Sequence, residues 1–292
     1  MKLCPQCQQE YDRSSRDCPF CSHAPAIIDG FPAYAPELAY ESSGFKADYF
    51  SELFKLESGN FWFRARNQLI LWALKTYAPH FENLLEVGCG TGFVLHGISG
   101  SFPDAKLMGS EVFVDGLSCA ARRLPTADLV QMDARKIPFV AEFDVVCAFD
   151  VIEHIKQDQL VLEQMHKSLK PGGLLVLTVP QHRWLWSAID EIACHERRYS
   201  RSELEQKVGL AGFSVMRSTS FISALLPLML LSRMTKKTVP KDFDHRAELR
   251  MNPTLNLVLE QILALERSGI KAGVNYPVGG SRLLIARKMA PA

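Results

Sequence analysis

The chain has 292 residues, 47% of them hydrophobic and 22% charged, with a mean hydropathy of −0.01. Those values exclude a fibrous, collagenous or mainly disordered polypeptide, and the length allows about two domains at roughly 150 residues each. Lys and Arg total 33 against 32 Asp and Glu, and a net charge of +1 gives no global electrostatic case for nucleic acid or an anionic membrane.

The opening residues, Met1-Lys2-Leu3-Cys4, lack the apolar stretch of a secretory leader. The longest apolar run, 221–231, is interrupted by Pro227 and falls short of the roughly 20 residues that span a bilayer. Both features predict a soluble, cytoplasmic protein.

Four of the eight cysteines form two Cys-Pro-x-Cys knuckles, Cys4-Pro5-Gln6-Cys7 and Cys18-Pro19-Phe20-Cys21. Each knuckle can turn two thiolates toward one ion, so the pair predicts a closed, structural Zn2+ site with Cys4, Cys7, Cys18 and Cys21 as ligands. Residues 1–25 are too few to bury a core of their own, and the metal would supply their folding energy. A redox-active or disulfide-bonded pair is the alternative for these cysteines, and His23 is a spare ligand. Cys89, Cys119, Cys147 and Cys194 lie singly among apolar or glycine-rich neighbours and read as buried free thiols.

Pro25, Pro32 and Pro36 punctuate a linker, and apolar spacing of three and four predicts helix over 47–78. Residues 26–82 are thus expected to hold a linker and N-terminal lid helices, with the cluster Phe61-Trp62-Phe63-Arg64-Ala65-Arg66 among them. Beyond them, 84–87, 106–111, 128–133, 143–150 and 174–179 read as strands separated by helical stretches. Continuous apolar strands alternating with helices predict an α/β fold with a parallel sheet covered on both faces. Strands at 214–216 and 281–286 would complete it. The main domain is expected over 83–221 plus 279–292, with 222–278 inserted as a helical cap.

The turn Gly88-Cys89-Gly90-Thr91-Gly92 joins the first of these strands to a helix, and its glycines allow a sharp bend and a close approach to a ligand. It departs from the G-x-G-x-x-G of nicotinamide sites, since position 93 is Phe. Acids end the next three strands: Glu111, suited to ribose hydroxyls, Asp133, suited to an adenine amino group, and Asp150. All three are expected at the carboxyl edge of the sheet, where open α/β folds bind ligands.

On these residues the segment 83–220 resembles the class I S-adenosylmethionine-dependent methyltransferases. Leu85-Glu86-Val87-Gly88-Cys89-Gly90-Thr91-Gly92 is similar to their first motif, Glu111 with Val112 to their ribose-binding acid, and Met132-Asp133-Ala134 to their adenine-binding segment. Asp150-Val151-Ile152-Glu153-His154 and Leu169-Lys170-Pro171-Gly172-Gly173 resemble the fourth-strand motif and the turn before the fifth strand. The resemblance implies a Rossmann-like seven-stranded sheet of order 3-2-1-4-5-7-6 with the seventh strand antiparallel. It implies S-adenosylmethionine as cofactor, contacted by Glu86, Gly88, Cys89, Gly90, Gly92, Glu111, Val112, Asp133, Ala134 and Asp150. Arg66, and second Arg64, would hold the methionine carboxylate, with Trp62 and Phe63 over the sulfonium. Packing of an amphipathic helix on the sheet is the other role open to this segment.

Methyl transfer to oxygen requires a proton acceptor, and His154, His182, Asp190 and His195 are the candidates. A structural, hydrogen-bonded role is open to each histidine. Asp150-x-x-Glu153-His154 also resembles the acid-x-x-Glu-His pattern of ubiquinone-biosynthesis O-methyltransferases, which implies a catalytic divalent cation such as Mg2+; here the leading acid is Asp rather than Glu.

The acceptor expected from the chain is a small, fairly apolar or lipid-linked molecule. The apolar run 221–231, the following Arg233, Lys236, Lys237 and Lys241, and an apolar helix near 253–268 suit such an acceptor, docking at a membrane surface, or a homodimer contact. Nucleic acid is not the expected substrate, because the near-neutral charge and the absence of an Asn/Asp-Pro-Pro-aromatic motif weigh against it. Ribosomal-RNA methylation guided by the zinc ribbon, and a non-catalytic cofactor-binding adaptor, are the alternatives.

Overall fold

In the computed structural model, residues 1–40, 47–235 and 251–289 are described, so Lys236, Lys237 and Lys241 lie outside the described residues. The chain begins with a two-stranded antiparallel ribbon, β1 (Lys2–Leu3) and β2 (Glu10–Tyr11), which carries the cysteine knuckles. It docks on the main domain through backbone, with Leu3 N–H donating to Pro138 O at 2.8 Å and Val140 N–H to Met1 O at 3.1 Å.

Residues 26–40, read above as linker, instead enlarge the sheet. β3 (Ala26–Ile28) and β4 (Phe31–Ala33) form a hairpin, and Ala33 pairs in parallel with Gln131. Pro32 fits in β4 because that strand pairs with β7 only through Ala33 and Gln131, so its missing N–H costs no ladder bond. Helices α1 (Ala47–Leu56) and α2 (Phe61–Tyr77) follow, as the apolar spacing predicts. Asn60 caps α2 by accepting from Trp62 N–H at 2.9 Å.

The main domain then alternates: β5 (Asn83–Val87), α3 (Phe93–Ser101), β6 (Lys106–Glu111), α4 (Val114–Arg123), β7 (Asp128–Gln131), β8 (Phe143–Phe149), α5 (Asp158–Ser168), β9 (Leu169–Pro180), α6 (Ala188–Ile192), α7 (Arg201–Leu210) and β10 (Phe213–Phe221). After β10 come α8 (Leu226–Thr235), α9 (Pro253–Lys271) and the last strand, β11 (Ser281–Lys288). Pro227 falls in the first turn of α8, where its missing N–H has no intrahelical partner to lose. The nine strands lie in the order β10-β11-β9-β8-β5-β6-β7-β4-β3. Without the added hairpin this is the expected 3-2-1-4-5-7-6, with β11 antiparallel to both neighbours.

Two apolar layers sandwich the sheet. One joins Leu84, Val145, Leu174 and Leu283 to Leu69, Ile70, Leu74 and Ile98, and the other joins Leu85, Val146, Leu175 and Leu284 to Val161, Leu162, Leu204 and Val208. The alternation of consecutive residues between layers is the period of two of a strand buried on both faces. Helix α9 lies against α2, with Leu259, Leu263 and Ile270 buried while Leu255, Val258 and Leu265 are exposed. Among the described residues no helix is long and apolar enough to cross a membrane.

Candidate active site

At the carboxyl end of β5 the backbone turns through Gly88-Cys89-Gly90-Thr91-Gly92, with φ of +69° at Gly88, +51° at Gly90 and +74° at Gly92. A side chain at Gly88 would set its Cβ 2.5 Å from Val151 Cγ2, so sterics and backbone both demand glycine. Cys89 N–H donates to Ser110 O at 2.8 Å, which fastens the turn to β6. Burial pushes the Cys89 thiol well above its usual range, which leaves it unreactive.

Glu111, at the end of β6, accepts from Gly90 N–H at 3.0 Å and from Val112 N–H at 2.8 Å. Burial raises its pKa and these N–H groups oppose the rise. Asp133 accepts from Arg135 N–H at 2.9 Å and pairs with the Arg135 guanidinium at 2.8 Å, beside the buried Ala134. Asp150 has a left-handed φ of +57° and donates its N–H to Thr178 O at 2.9 Å.

The Asp150 carboxylate pairs with Arg66 of α2. Arg66 also lies 4.5 Å from the Trp62 ring centroid and 5.8 Å from that of Phe63, and its Nε is buried without a partner. The aromatic pair expected over a sulfonium therefore covers a guanidinium here. Glu86 is buried with Oε2 unpartnered, and burial lifts its pKa to about 8 against the pull of the nearby Arg66 charge. Arg64, the second choice for a carboxylate, turns away to Glu260 of α9 at 2.6 Å, because successive helix positions face different sides.

The four proton-acceptor candidates fall into two groups. His195 Nδ1 meets Asp190 Oδ1 at 2.8 Å, and Arg198 Nε donates to the same oxygen at 2.6 Å. Burial works against ionisation of Asp190, but His195, Arg198 and Ser187 outweigh it and hold its pKa at about 2. The His195 and His154 rings pack edge to face with centroids 4.7 Å apart. Burial and then His195 depress the His154 pKa to about 4. Glu153, fully buried, has neither carboxylate oxygen hydrogen-bonded.

His182 stands apart from this group, just beyond β9, with a left-handed φ of +64°. Its ring stacks on Trp184 at 4.8 Å and its Nε2 is buried without a partner. Burial lowers its pKa, with the Arg282 and Arg198 charges adding to the effect.

Two connections escape sequence reasoning. Glu57, in the 3-10 turn between α1 and α2, accepts from Thr91 Oγ1 and from Arg123 Nη1, each at 2.6 Å. Gln131 donates to Ala35 O at 2.7 Å and Val112 O at 2.9 Å, joining the added hairpin to the loop after Glu111. A polar residue inside strand 128–133 was the single available signal for Gln131; Glu57 carried none.

In the N-terminal ribbon the four knuckle cysteines come together, with Cys4 and Cys21 Sγ, and likewise Cys7 and Cys18 Sγ, 3.5 Å apart. A tetrahedron with Zn–S of about 2.3 Å separates its sulfurs by about 3.8 Å, so the donor set fits zinc. His23 is not among these donors.

Residues 85–177 match the family described as methyltransferase domain. Malonyl-[acyl-carrier protein] O-methyltransferase of Enterobacter lignolyticus is 33% identical over 156 residues, 49% of this chain and 59% of that protein. A probable S-adenosylmethionine-dependent methyltransferase of Mycolicibacterium smegmatis is 26% identical over 163 residues, 55% of this chain and 62% of that protein. The chain thus spans less than two thirds of the length of these relatives.

Among solved structures, phosphoethanolamine N-methyltransferase 2 of Haemonchus contortus with S-adenosylmethionine superposes with a TM-score of 0.56 at 18% identity, covering 85% of this chain and 58% of that one. The [4+2]-cyclase SpnF superposes with a TM-score of 0.55 at 19% identity, covering 79% and 83%. At these identities the likeness concerns the fold, and the second name illustrates that one fold serves different chemistries.

Proposed function

We propose that this chain, which carries a class I S-adenosylmethionine-dependent methyltransferase domain, transfers the sulfonium methyl group to an oxygen of a small, apolar or lipid-linked acceptor. The observation that carries this reading is the set of ligand-type groups along one sheet edge. A glycine turn with left-handed backbone lies against Glu111, beside the unpartnered Arg66 Nε and Glu86 Oε2.

Those groups fit the cofactor's chemistry. An amino-acid end needs a cation for its carboxylate, as Arg66 supplies, and an anion for its ammonium, as Asp150 supplies, with the buried Glu86 carboxyl beside them as a further hydrogen-bonding group. Glu111 suits the ribose hydroxyls and Asp133 the adenine edge. The cofactor, when bound, supplies the electrophilic methyl group. The protein must align the acceptor, exclude water and take a proton. His182 is the base we assign, because burial keeps it neutral and its Nε2 lone pair has no other partner. With the cofactor bound, His182 would take up the proton that the acceptor hydroxyl gives up on methylation.

An oxygen acceptor is supported by the name of the Enterobacter relative, an O-methyltransferase. An apolar one is supported by the exposed Leu228 and Leu231 of α8 and Leu255, Leu257 and Val258 of α9. The test is incubation with methyl-labelled cofactor and separated lipid, soluble-metabolite and RNA fractions. Label in lipids or metabolites, with His182→Ala lowering kcat far more than cofactor affinity, is the expected result. Label in RNA would make the zinc ribbon a substrate-recognition element, and cofactor binding without transfer would make the chain an adaptor; either overturns the reading.

A further inference from the structure

We infer that Glu153, His154 and His195 form a binding site for a divalent transition metal, distinct from the cysteine site and different in its ligands from the Asp150-x-x-Glu153-His154 site that the sequence resemblance implies for Mg2+. Each residue offers one donor atom, and the three donor atoms lie within 4.8 Å of one another. Asp150, which the sequence pattern would supply as a ligand, is engaged by Arg66. The donor set is therefore one carboxylate and two imidazoles.

The arrangement around the three residues is that of a built site. Glu153 is fully buried and neither of its oxygens has a hydrogen-bond partner. A buried carboxylate in that condition carries a large desolvation penalty, and a directly bound cation removes it. His195 gives Nδ1 to the buried Asp190, which leaves Nε2 as the available donor. This carboxylate–histidine–metal relation is how proteins orient a ligating imidazole. Arg198, on the same Asp190 oxygen, fixes that carboxylate in turn. The His154 ring packs edge to face against that of His195, with centroids 4.7 Å apart, which brings the two imidazoles together.

The chain geometry also holds the two ligand segments together. Glu196 N–H donates to Glu153 O at 2.8 Å, and Tyr199 Oη donates to Ile152 O at 3.3 Å. Thus the loop that carries His195 is clamped to the turn that carries Glu153 and His154.

Donor chemistry selects the ion. Mg2+ prefers an octahedron of oxygens, whereas two imidazoles and one carboxylate suit Zn2+, Fe2+ or Co2+. Three protein ligands leave a coordination position open, the mark of a non-structural site. The site follows directly on Asp150, so the inference deepens the methyltransferase reading by giving the acceptor side of the crevice a metal. It also makes His195 a ligand, in agreement with His182 as the free base.

The experiment is a Co2+ titration of the chelator-stripped full chain, with absorption spectra recorded alongside cofactor affinity by calorimetry. Two equivalents per chain are expected: one with sulfur-to-cobalt charge-transfer absorption from the cysteines, and one without it. The second should vanish in Glu153→Gln and in His195→Ala while the sulfur band remains, and excess Mg2+ should not displace it whereas Zn2+ should. The conservative Glu153→Gln guards against a folding defect, with the retained sulfur band and circular dichroism as controls. A wild-type chain with sulfur-ligated cobalt alone, or a second equivalent that survives in both variants, overturns the inference. Loss of cofactor binding in the calorimetry would instead count against the methyltransferase reading, so the two failures are separable.

Discussion

Glu57 and Arg123 meet at 2.6 Å in a buried ion pair that also grips the glycine turn, since both side chains bond to Thr91 Oγ1. Arg123 further donates to Phe54 O at 2.8 Å and lies between the Phe54 and Phe93 rings, at 4.2 and 5.3 Å from their centroids. One cluster therefore ties α1, α3, α4 and the turn together. Removing one partner strands a buried charge, so Glu57→Ala should cost about 3 kcal/mol in urea unfolding. Because Thr91 loses its acceptor, cofactor affinity should fall as well. A variant with unchanged stability would refute the role.

Gly88 faces Val151 across a 2.5 Å gap to any added Cβ, and its φ of +69° disfavours every other residue. Gly88→Ala should therefore destabilise the chain by roughly 1–3 kcal/mol and displace the turn. Calorimetry should find cofactor binding lost while circular dichroism stays close to wild type. Retained affinity would mean that this turn does not contact the cofactor.

Asp158 accepts from Tyr199 Oη at 2.7 Å, Lys207 Nζ at 2.9 Å and Arg197 Nη1 at 2.7 Å. Burial opposes its ionisation, yet these partners outweigh burial and hold its pKa below the usual aspartate value. A carboxylate depressed in the folded state contributes stability that is present above its unfolded pKa of about 3.9 and is lost as pH falls through the folded value. Asp158→Asn should therefore be less stable than wild type at neutral pH, with the gap narrowing in acid. Urea midpoints from neutral to strongly acidic pH test this, and a constant gap would exclude the linkage.

The cysteine ribbon rests on the main domain through Leu3, Val140 and the pairing of Arg13 with Asp128 and Glu142. With a metal ion held by the four knuckle cysteines, a strong chelator should expose residues 1–25 to protease, because that ion would supply the segment's folding energy. The main domain, with its own core on both faces of the sheet, should survive as a protected fragment. Global unfolding on chelation would show that the ribbon is integral to the main core.

Fold class was legible in the sequence because a strand buried on both faces must be continuously apolar, and strands such as 84–87 and 143–149 are; the strand order came only from the resemblance of the motifs along 83–220 to a known family. The glycine turn was legible for a related reason: left-handed backbone leaves a residue-type signature at the position itself. The same holds for the knuckle cysteines, whose local spacing already implies a shared centre. The hairpin at 26–33 was not legible, since prolines mark an edge strand and a linker alike. Nor could one-dimensional spacing reveal contacts between distant segments. Glu57 reaches Arg123, Arg66 reaches Asp150, and His195 reaches His154 by long-range packing of separate elements. The sequence by itself determined which local backbones and which buried faces this chain must form, because those follow from sterics and hydrophobic period. Tertiary structure alone decided which charges neutralise one another, because pairing depends on where buried side chains converge after the sheet and its helices have packed.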